Sequence, residues 1–139
     1  MKMALRSVFA LALWLSTAFA TEPLRSPDGK IAVEIELRAV DGSAIYRIHH
    51  GGTVVLRDSQ LGLVRDDVDF SRGLQRLSSS AVTRVEDRYE LFTGKRRLNV
   101  YRAHRQVHHL ATGDGRKLDV EFQVSNDGVA FRYVFPETS

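Results

Sequence analysis

The carboxylates are the first side chains of this sequence to consider for catalysis, since a converging pair can act as acid and base on a glycosidic bond. The chain has 17 acidic residues. Most of them alternate with apolar residues, as on the solvent face of β-strands, for example Glu34, Glu36, Asp119 and Glu121. No pattern indicates two carboxylates meeting in a cleft, so the sequence predicts no catalytic residue.

A second acidic pattern, Asp67-x-Asp69-x-Ser71, resembles the beginning of a calcium-binding loop. Such a loop needs a glycine at its sixth position for the sharp turn and a bidentate glutamate at its twelfth. Here these positions hold Arg72 and Ser78. We therefore interpret the stretch as a solvated acidic loop and predict no metal site.

The five histidines are His49, His50, His104, His108 and His109. Adjacent strand residues point to opposite faces, so neither adjacent pair can chelate one ion. His104 and His108 share a face of the predicted strand, but they would lie about 13 Å apart along it, which is too far to bind one ion. Surface histidines are the better interpretation, and a metal-binding protein is the less favoured alternative.

Serine and glycine motifs do not indicate a nucleophile or a phosphate site. Ser78-Ser79-Ser80 lacks the G-x-S-x-G context of a nucleophile elbow. Gly113-x-Gly115 lacks the third glycine of a dinucleotide fingerprint, and a strand pattern rather than a helix pattern follows it.

The elements that carry these residues are strands. Apolar residues alternate with polar ones between turn signals, and no long helical period occurs, which predicts an all-β, antiparallel β-sandwich of seven to nine strands. The clearest alternation places three sets of side chains in the core: Ile31, Val33, Ile35 and Leu37; Leu118, Val120, Phe122 and Val124; Val129, Phe131, Tyr133 and Phe135.

Two segments are harder to assign. Residues 65–80 are polar and carry little strand pattern, so we expect a long loop there. Asp58-Ser59 is expected to form a turn that leads into a separate strand, LGLV.

The first twenty residues have the pattern of a signal peptide. Lys2 and Arg6 precede the apolar run Val8–Leu15, and Ala18 and Ala20 form an A-x-A signal-peptidase site. We therefore expect an exported, periplasmic or secreted bacterial protein whose mature domain is 21–139. After cleavage we expect no membrane association.

Charge and cysteine content limit the function further. Without Lys2 and Arg6, 18 basic side chains face 17 acidic ones, so nothing demands a nucleic-acid partner. The basic cluster Lys95-Arg96-Arg97, with Arg102 and Arg105 nearby, fits the solvent face of a hairpin better than a phosphate site. There are no cysteines, so an exported domain must be stabilised by its core or by a neighbouring domain.

Three blocks of sequence, in order, resemble the N-terminal domain of glycoside hydrolase family 97. They are Ser26–Val33 (SPDGKIAV), Val55–Leu63 (VLRDSQLGL) and Glu121–Pro136 (EFQVSNDGVAFRYVFP), with Gly73-Leu74 between the second and third. The last block is the most specific, because an acidic-aromatic strand, an Asn-Asp-Gly turn and F-R-Y occur in register. The turn residues of these blocks, such as Asp28 and Asn126, are expected to have structural roles only.

This resemblance implies a galactose-mutarotase-like β-supersandwich, of which the chain holds the N-terminal part. Family members are exported bacterial enzymes that cleave α-glucosides or α-galactosides. A (β/α)₈ barrel follows the sandwich and carries the catalytic carboxylates, and a calcium ion lies near the active site. We therefore expect calcium in a full-length parent, no cofactor on this chain, and the missing barrel as the main partner.

Two functions remain open. The first is a non-catalytic scaffold module of an α-glycosidase, with the chain as a truncated fragment that is marginally stable alone. The alternative is a stand-alone periplasmic module that binds carbohydrate, such as an α-linked oligosaccharide, or another partner. Tyr46, Tyr89 and Tyr101 could stack on sugar rings, although tyrosines on strands more often lie at the edge of a core.

Overall fold

A computed structural model describes residues 22–93 and 97–136. These residues form nine β-strands and no helix: β1 (Leu24–Arg25), β2 (Ile31–Leu37), β3 (Ala44–His50), β4 (Thr53–Gln60), β5 (Gln75–Ser79), β6 (Thr83–Glu90), β7 (Leu98–Ala111), β8 (Lys117–Ser125) and β9 (Val129–Val134). The prediction of an all-β fold is confirmed. The predicted signal peptide lies outside the described residues.

The strands form two antiparallel sheets. One has the order β1-β2-β3-β4, and the other has the order β5-β7-β8-β9, with β6 also paired to β7. β5 and β6 share one edge of β7, because β5 pairs with residues 108–111 and β6 pairs with residues 98–105. β7 is therefore long enough to serve two consecutive partners.

The core lies between the two sheets. β1 contacts β7, and β2 contacts β8. The four predicted inward residues of β8 are fully buried in the hydrophobic core. The predicted inward residues of β2, of β9 and Phe135 after it are either buried or pack against that core. Alternation thus predicted which face of each of these strands is apolar, as expected when one face of each sheet is solvated.

The predicted loop at residues 65–80 is partly wrong. Its second half contains β5, and the irregular segment is residues 61–74 instead. Phe70 from this segment is completely buried in the core. The predicted turn at Asp58-Ser59 is also wrong, because both residues belong to β4, where Arg47 and Arg38 pair with the Asp58 carboxylate.

β1 and β4 are the edge strands of one described sheet, and in the other sheet β9 is the edge opposite β5 and β6. Within residues 22–93 and 97–136, β4 pairs only with β3 and β9 only with β8. Tyr46 of β3 packs on Phe131 of β9, with ring centroids 5.5 Å apart. Phe131 shares the core-facing side of its sheet with Phe122, yet it is 40% exposed, whereas Phe122 is completely buried. The core is therefore incompletely covered at the β9 edge.

The β6–β7 hairpin extends past the rest of its sheet. β8 pairs with β7 only from Ala103 onward, so Leu98–Arg102 are paired with β6 alone. Several apolar side chains of this arm are exposed, including Leu91, Phe92 and Val100. No helix in the described ranges is long and apolar enough to cross a membrane.

Candidate functional site

The outward acidic residues lie where the alternation predicted, and each meets a basic side chain. Glu36 pairs with Arg47 at 3.0 Å, and Glu121 pairs with Arg132 at 3.1 Å. Glu34 contacts His49, and Asp119 contacts His109. These four carboxylates are spread over the solvent faces of both sheets, so they form cross-strand pairs and do not converge on one cleft.

The Asp67-x-Asp69-x-Ser71 stretch is held by contacts that calcium would have to replace. Asp67 pairs with Arg65 at 3.1 Å and also with Arg116. Asp69 accepts hydrogen bonds from the Ser71 backbone amide at 2.7 Å and from its hydroxyl. These bonds hold the pKa of the Asp69 carboxyl below its usual value. The two carboxylates thus have different cationic and polar partners and do not fit a shared calcium ion.

The adjacent histidines point to opposite faces of their strands, as predicted. His109 lies on the outer face of β7, where its Nδ1 is 2.8 Å from Asp119. His104 makes a different contact, a 2.8 Å hydrogen bond between its Nδ1 and the Arg25 carbonyl oxygen. In the described part of the chain, no group of three histidine, aspartate or glutamate side chains could hold a metal ion.

His108 contradicts the prediction that the histidines are surface residues. It is 1% exposed, and its Nδ1 lies 2.9 Å from the Ser79 hydroxyl. Its Nε2 has no hydrogen-bond partner among the described residues. Burial, followed by the positive charge of Arg76, lowers the pKa of His108 to about 4. A neutral imidazole packed edge-on to Phe122 behaves here as a core residue.

The basic cluster does not form one patch in the part that can be located. Lys95 and Arg96 lie outside the described residues. Arg97 pairs with Glu90, and Arg102 pairs with Glu86. Arg105 is three positions from Arg102 on β7, and side chains alternate along a strand, so the two lie on opposite faces.

The Ser-Pro-Asp-Gly and Ser-Asn-Asp-Gly turns, which belong to different sequence blocks, meet at one end of the sandwich. Asp28 orders its own turn by accepting bonds from the Ser26 hydroxyl and the Lys30 amide. Its backbone amide donates to the Asn126 side-chain oxygen at 3.0 Å, across 98 positions of sequence. The turn-forming role was predicted, but this bond between the two turns was not, because nothing in either block indicates its partner.

The three candidate tyrosines separate into two environments. Tyr46 packs against Phe122 and Phe131 and belongs to the core edge. Tyr89 and Tyr101 lie on the outer face of the β6–β7 hairpin, where Tyr89 is opposite Asn99 and Tyr101 is opposite Asp87. Only these last two, of the three, are placed to meet a ligand from solvent.

The two packed antiparallel sheets define a β-sandwich domain whose outer faces carry cross-strand carboxylate pairs. The family model "Glycosyl-hydrolase 97 N-terminal" matches residues 24–139. The chain therefore belongs to the glycosyl-hydrolase 97 N-terminal family, and the resemblance seen in the three sequence blocks is confirmed.

Among curated proteins, a probable retaining alpha-galactosidase from Streptomyces bingchenggensis (strain BCW-1) is 34% identical to this chain over 145 residues. The alignment covers 93% of this chain but 23% of the relative. This chain thus spans less than a quarter of the length of that relative.

Solved structures share the fold. A crystal structure of a beta-arabinopyranosidase matches with a TM-score of 0.78 and 29% identity, covering 85% of this chain and 18% of that protein. A variant of a glycoside hydrolase family 97 enzyme from Pseudoalteromonas sp. strain K8, in complex with panose, matches with a TM-score of 0.74 and 22% identity. That match covers 84% of this chain and 18% of the other.

Proposed function

We propose that this chain is the non-catalytic N-terminal module of an exported α-glycosidase, and that a separate catalytic domain supplies the catalytic carboxylates. The observation that carries the proposal is the family match over 24–139, combined with a curated relative of which only 23% is covered. That relative is described as an α-galactosidase, so α-galactosides are the first substrates to test, and α-glucosides the second.

The outward carboxylates support a scaffold role. A glycosidase needs two carboxyl groups facing each other across the scissile bond, with a separation set by the stereochemical outcome. Glu34, Glu36, Asp119 and Glu121 instead occupy separate positions on solvent-facing strands, each beside a basic side chain. These four acids therefore stabilise cross-strand pairs.

The β9 edge supports attachment to further protein. Phe131 is on the core-facing side of its sheet but partly exposed, and the backbone groups along the outer side of β9 have no strand partner among the described residues. An additional strand or a packed domain would cover both. The missing barrel domain is the partner that we propose for the module as a whole.

Export and calcium are further parts of this proposal. The Ala18-x-Ala20 site would release a mature chain beginning at Thr21 in the periplasm or the medium. Because Asp67 and Asp69 are engaged by arginine and serine, we propose no calcium ion at this stretch, and calcium stays an expectation for a full-length parent.

The direct test is hydrolysis of 4-nitrophenyl α-galactoside and α-glucoside by the purified mature chain. We expect no release of nitrophenol above the buffer rate, whereas the native gene product should hydrolyse one of the two. Turnover proportional to the concentration of the mature chain, and retained after further purification, would contradict the non-catalytic assignment.

A stand-alone carbohydrate-binding module is the second candidate function. The observation that favours it is the position of Tyr89 and Tyr101 on a solvent-facing side of the hairpin. It predicts saturable sugar binding without hydrolysis, and a native product no larger than the mature chain.

A further inference from the structure

We propose that the outer face of β6, β7 and β8 binds an oligosaccharide by stacking sugar rings on Tyr89 and Tyr101. This inference goes beyond the proposed scaffold role, and it gives the second candidate function, sugar binding at Tyr89 and Tyr101, a defined surface and ligand class. It does not depend on the reaction that the catalytic part performs.

Strand register places both tyrosines on the same face. On β7, Gln106 and His108 lie opposite Phe122 and Val120 and point into the core. Residues of odd number on β7, including Tyr101, therefore point outward. Tyr89 is directly opposite Asn99, which makes it a diagonal neighbour of Tyr101 at about 7–8 Å between backbone positions.

The Tyr101 ring lies along the sheet surface. Its hydroxyl accepts a 2.9 Å hydrogen bond from the Gln123 amide, although Gln123 is opposite Arg105, four residues further along β7. Ala103 lies between these two positions on the same face and is 1% exposed. We infer that the ring extends over Ala103, so that one side of the ring is packed and the other faces solvent.

Tyr89 adds a second aromatic surface at the outer end of the same hairpin. It is 46% exposed, and the exposed Asp87 lies two residues before it, directly opposite Tyr101. Aromatic rings supply an apolar surface with a polar tip, which suits the C–H face of a pyranose ring and its hydroxyls. Asp87 supplies carboxylate oxygens that can accept bonds from those hydroxyls.

A groove continues this surface beyond Gln123. Its volume is about 290 Å³, and Arg105, Glu121, Gln123 and Arg132 contribute polar groups to its lining. Gln123 is thus shared by the groove and by the hydrogen bond that orients Tyr101. A few convergent polar groups beside an apolar surface are characteristic of small-molecule sites.

The length of the surface favours an oligosaccharide over a single sugar. Asn99, which is opposite Tyr89, and Arg105, which lines the groove, are six positions apart on β7. This spacing corresponds to about 20 Å along a strand. Single-stranded nucleic acid also stacks on aromatic side chains, but it needs a basic groove along its backbone. Arg105 and Arg132 line the groove, but Arg132 pairs with Glu121 and the exposed Asp87 lies opposite Tyr101, so this face has no continuous basic track.

The test is isothermal titration of panose into this chain without its first twenty residues, which carries no catalytic domain that could bind the sugar, compared among four variants. We expect saturable binding that becomes about tenfold weaker in Tyr89→Ala and in Tyr101→Ala, which corresponds to about 1.4 kcal/mol. Tyr89→Phe keeps the ring and should bind like the unaltered protein. Phe92→Ala is the matched control, because Phe92 is a fully exposed aromatic residue at the end of the same hairpin.

Three results would overturn the proposal. They are absence of saturation at millimolar panose, equal affinity in Tyr89→Ala and the unaltered protein, or displacement of panose by an oligonucleotide at equal concentration. Far-UV circular dichroism and urea unfolding of every variant identify an alanine variant that fails to fold, and the comparison then rests on the other alanine variant. None of these results bears on α-glycoside hydrolysis by a larger native product, because that activity is measured in a separate assay.

Discussion

Gly62 is the residue at which the backbone tolerates least change. Its φ is +106°, and a Cβ atom there would lie 2.2 Å from the Phe70 carbonyl oxygen. Its amide also donates to the Tyr133 hydroxyl at 2.8 Å, so the irregular segment is attached to β9 at this point. The glycine therefore allows the segment that carries Phe70 to close over the core.

We predict that Gly62→Ala lowers the free energy of unfolding by about 3 kcal/mol, through backbone strain and displacement of Phe70. Gly113→Ala is the control, because a Cβ atom at Gly113 meets nothing within 4 Å and its φ is not left-handed. Urea unfolding of both variants measures the difference. Equal midpoints would show that the segment around Phe70 does not need this backbone conformation.

Burial of His108 makes the stability of the fold depend on pH. Its pKa is about 4 in the folded chain and about 6.5 when unfolded, so the unfolded state binds the additional proton. Stability is therefore complete above pH 6.5 and decreases as the pH falls towards 4, by up to ~3 kcal/mol. Arg76 and His109 are the charged and titratable groups that reinforce this direction.

Urea unfolding at pH 7.0, 5.5 and 4.5 measures this loss. His108→Leu should flatten the dependence over this range, and His50→Gln, at an exposed strand end, is the matched control that removes a histidine outside the core. Asp28, Asp41, Asp58 and Asp69 have pKa values below the usual value and affect stability only at lower pH. An unchanged slope in His108→Leu would contradict the assignment.

At the scale of elements, β9 combines an aromatic core-facing side with an edge that has no strand partner in the described chain. Such an edge can pair with the same edge of another molecule. Val134 lies on the outer side of β9 and is partly exposed, so a lysine there would disfavour edge-to-edge pairing without entering the core.

We therefore predict that Val134→Lys raises the soluble, monomeric fraction of the mature chain in size-exclusion chromatography with light scattering. Val40→Lys, at a fully exposed turn position, adds the same charge and should have no such effect. Equal gains in both variants would mean that net charge, and not the β9 edge, controls association. A stable monomer with cooperative unfolding before any substitution would contradict the expected marginal stability.

Strands with strict alternation could be predicted from sequence, and the others could not. β2 and β8 each place four apolar residues on one face, and β9 places three there, followed by Phe135, so periodicity alone fixes their orientation. β5 reads QRLSS, which has no apolar alternation, and it becomes a strand because β7 offers the edge next to it. Asp58 resembles a turn residue but is kept in β4 by Arg47 and Arg38.

Side-chain environments were less predictable, since they depend on contacts distant in sequence. The burial of His108 follows from its position opposite Val120 and from Ser79, which is 29 residues away. The candidate sugar surface needs the register between β6 and β7, which determines that Tyr89 and Tyr101 share a face. Their residue type indicated stacking on a sugar ring. Only the strand register showed that these two tyrosines, and not Tyr46, lie on a solvent-facing side.

At the scale of the whole molecule, the chain has the properties of a scaffold that needs a neighbour. It has two sheets around one core, an incompletely covered β9 edge, and a hairpin arm with exposed apolar residues. It belongs to the glycosyl-hydrolase 97 N-terminal family, and its match covers less than a quarter of a curated α-galactosidase. These observations together favour a module that acts as part of a larger glycosidase.

The most direct test of that claim is the size of the native product. An antibody to residues 21–139 should detect, in the periplasmic or secreted fraction, a band several times larger than the mature chain. The same band should hydrolyse an α-galactoside or α-glucoside in a zymogram. A single band at the size of the mature chain, without hydrolysis, would contradict the account and favour a stand-alone binding module.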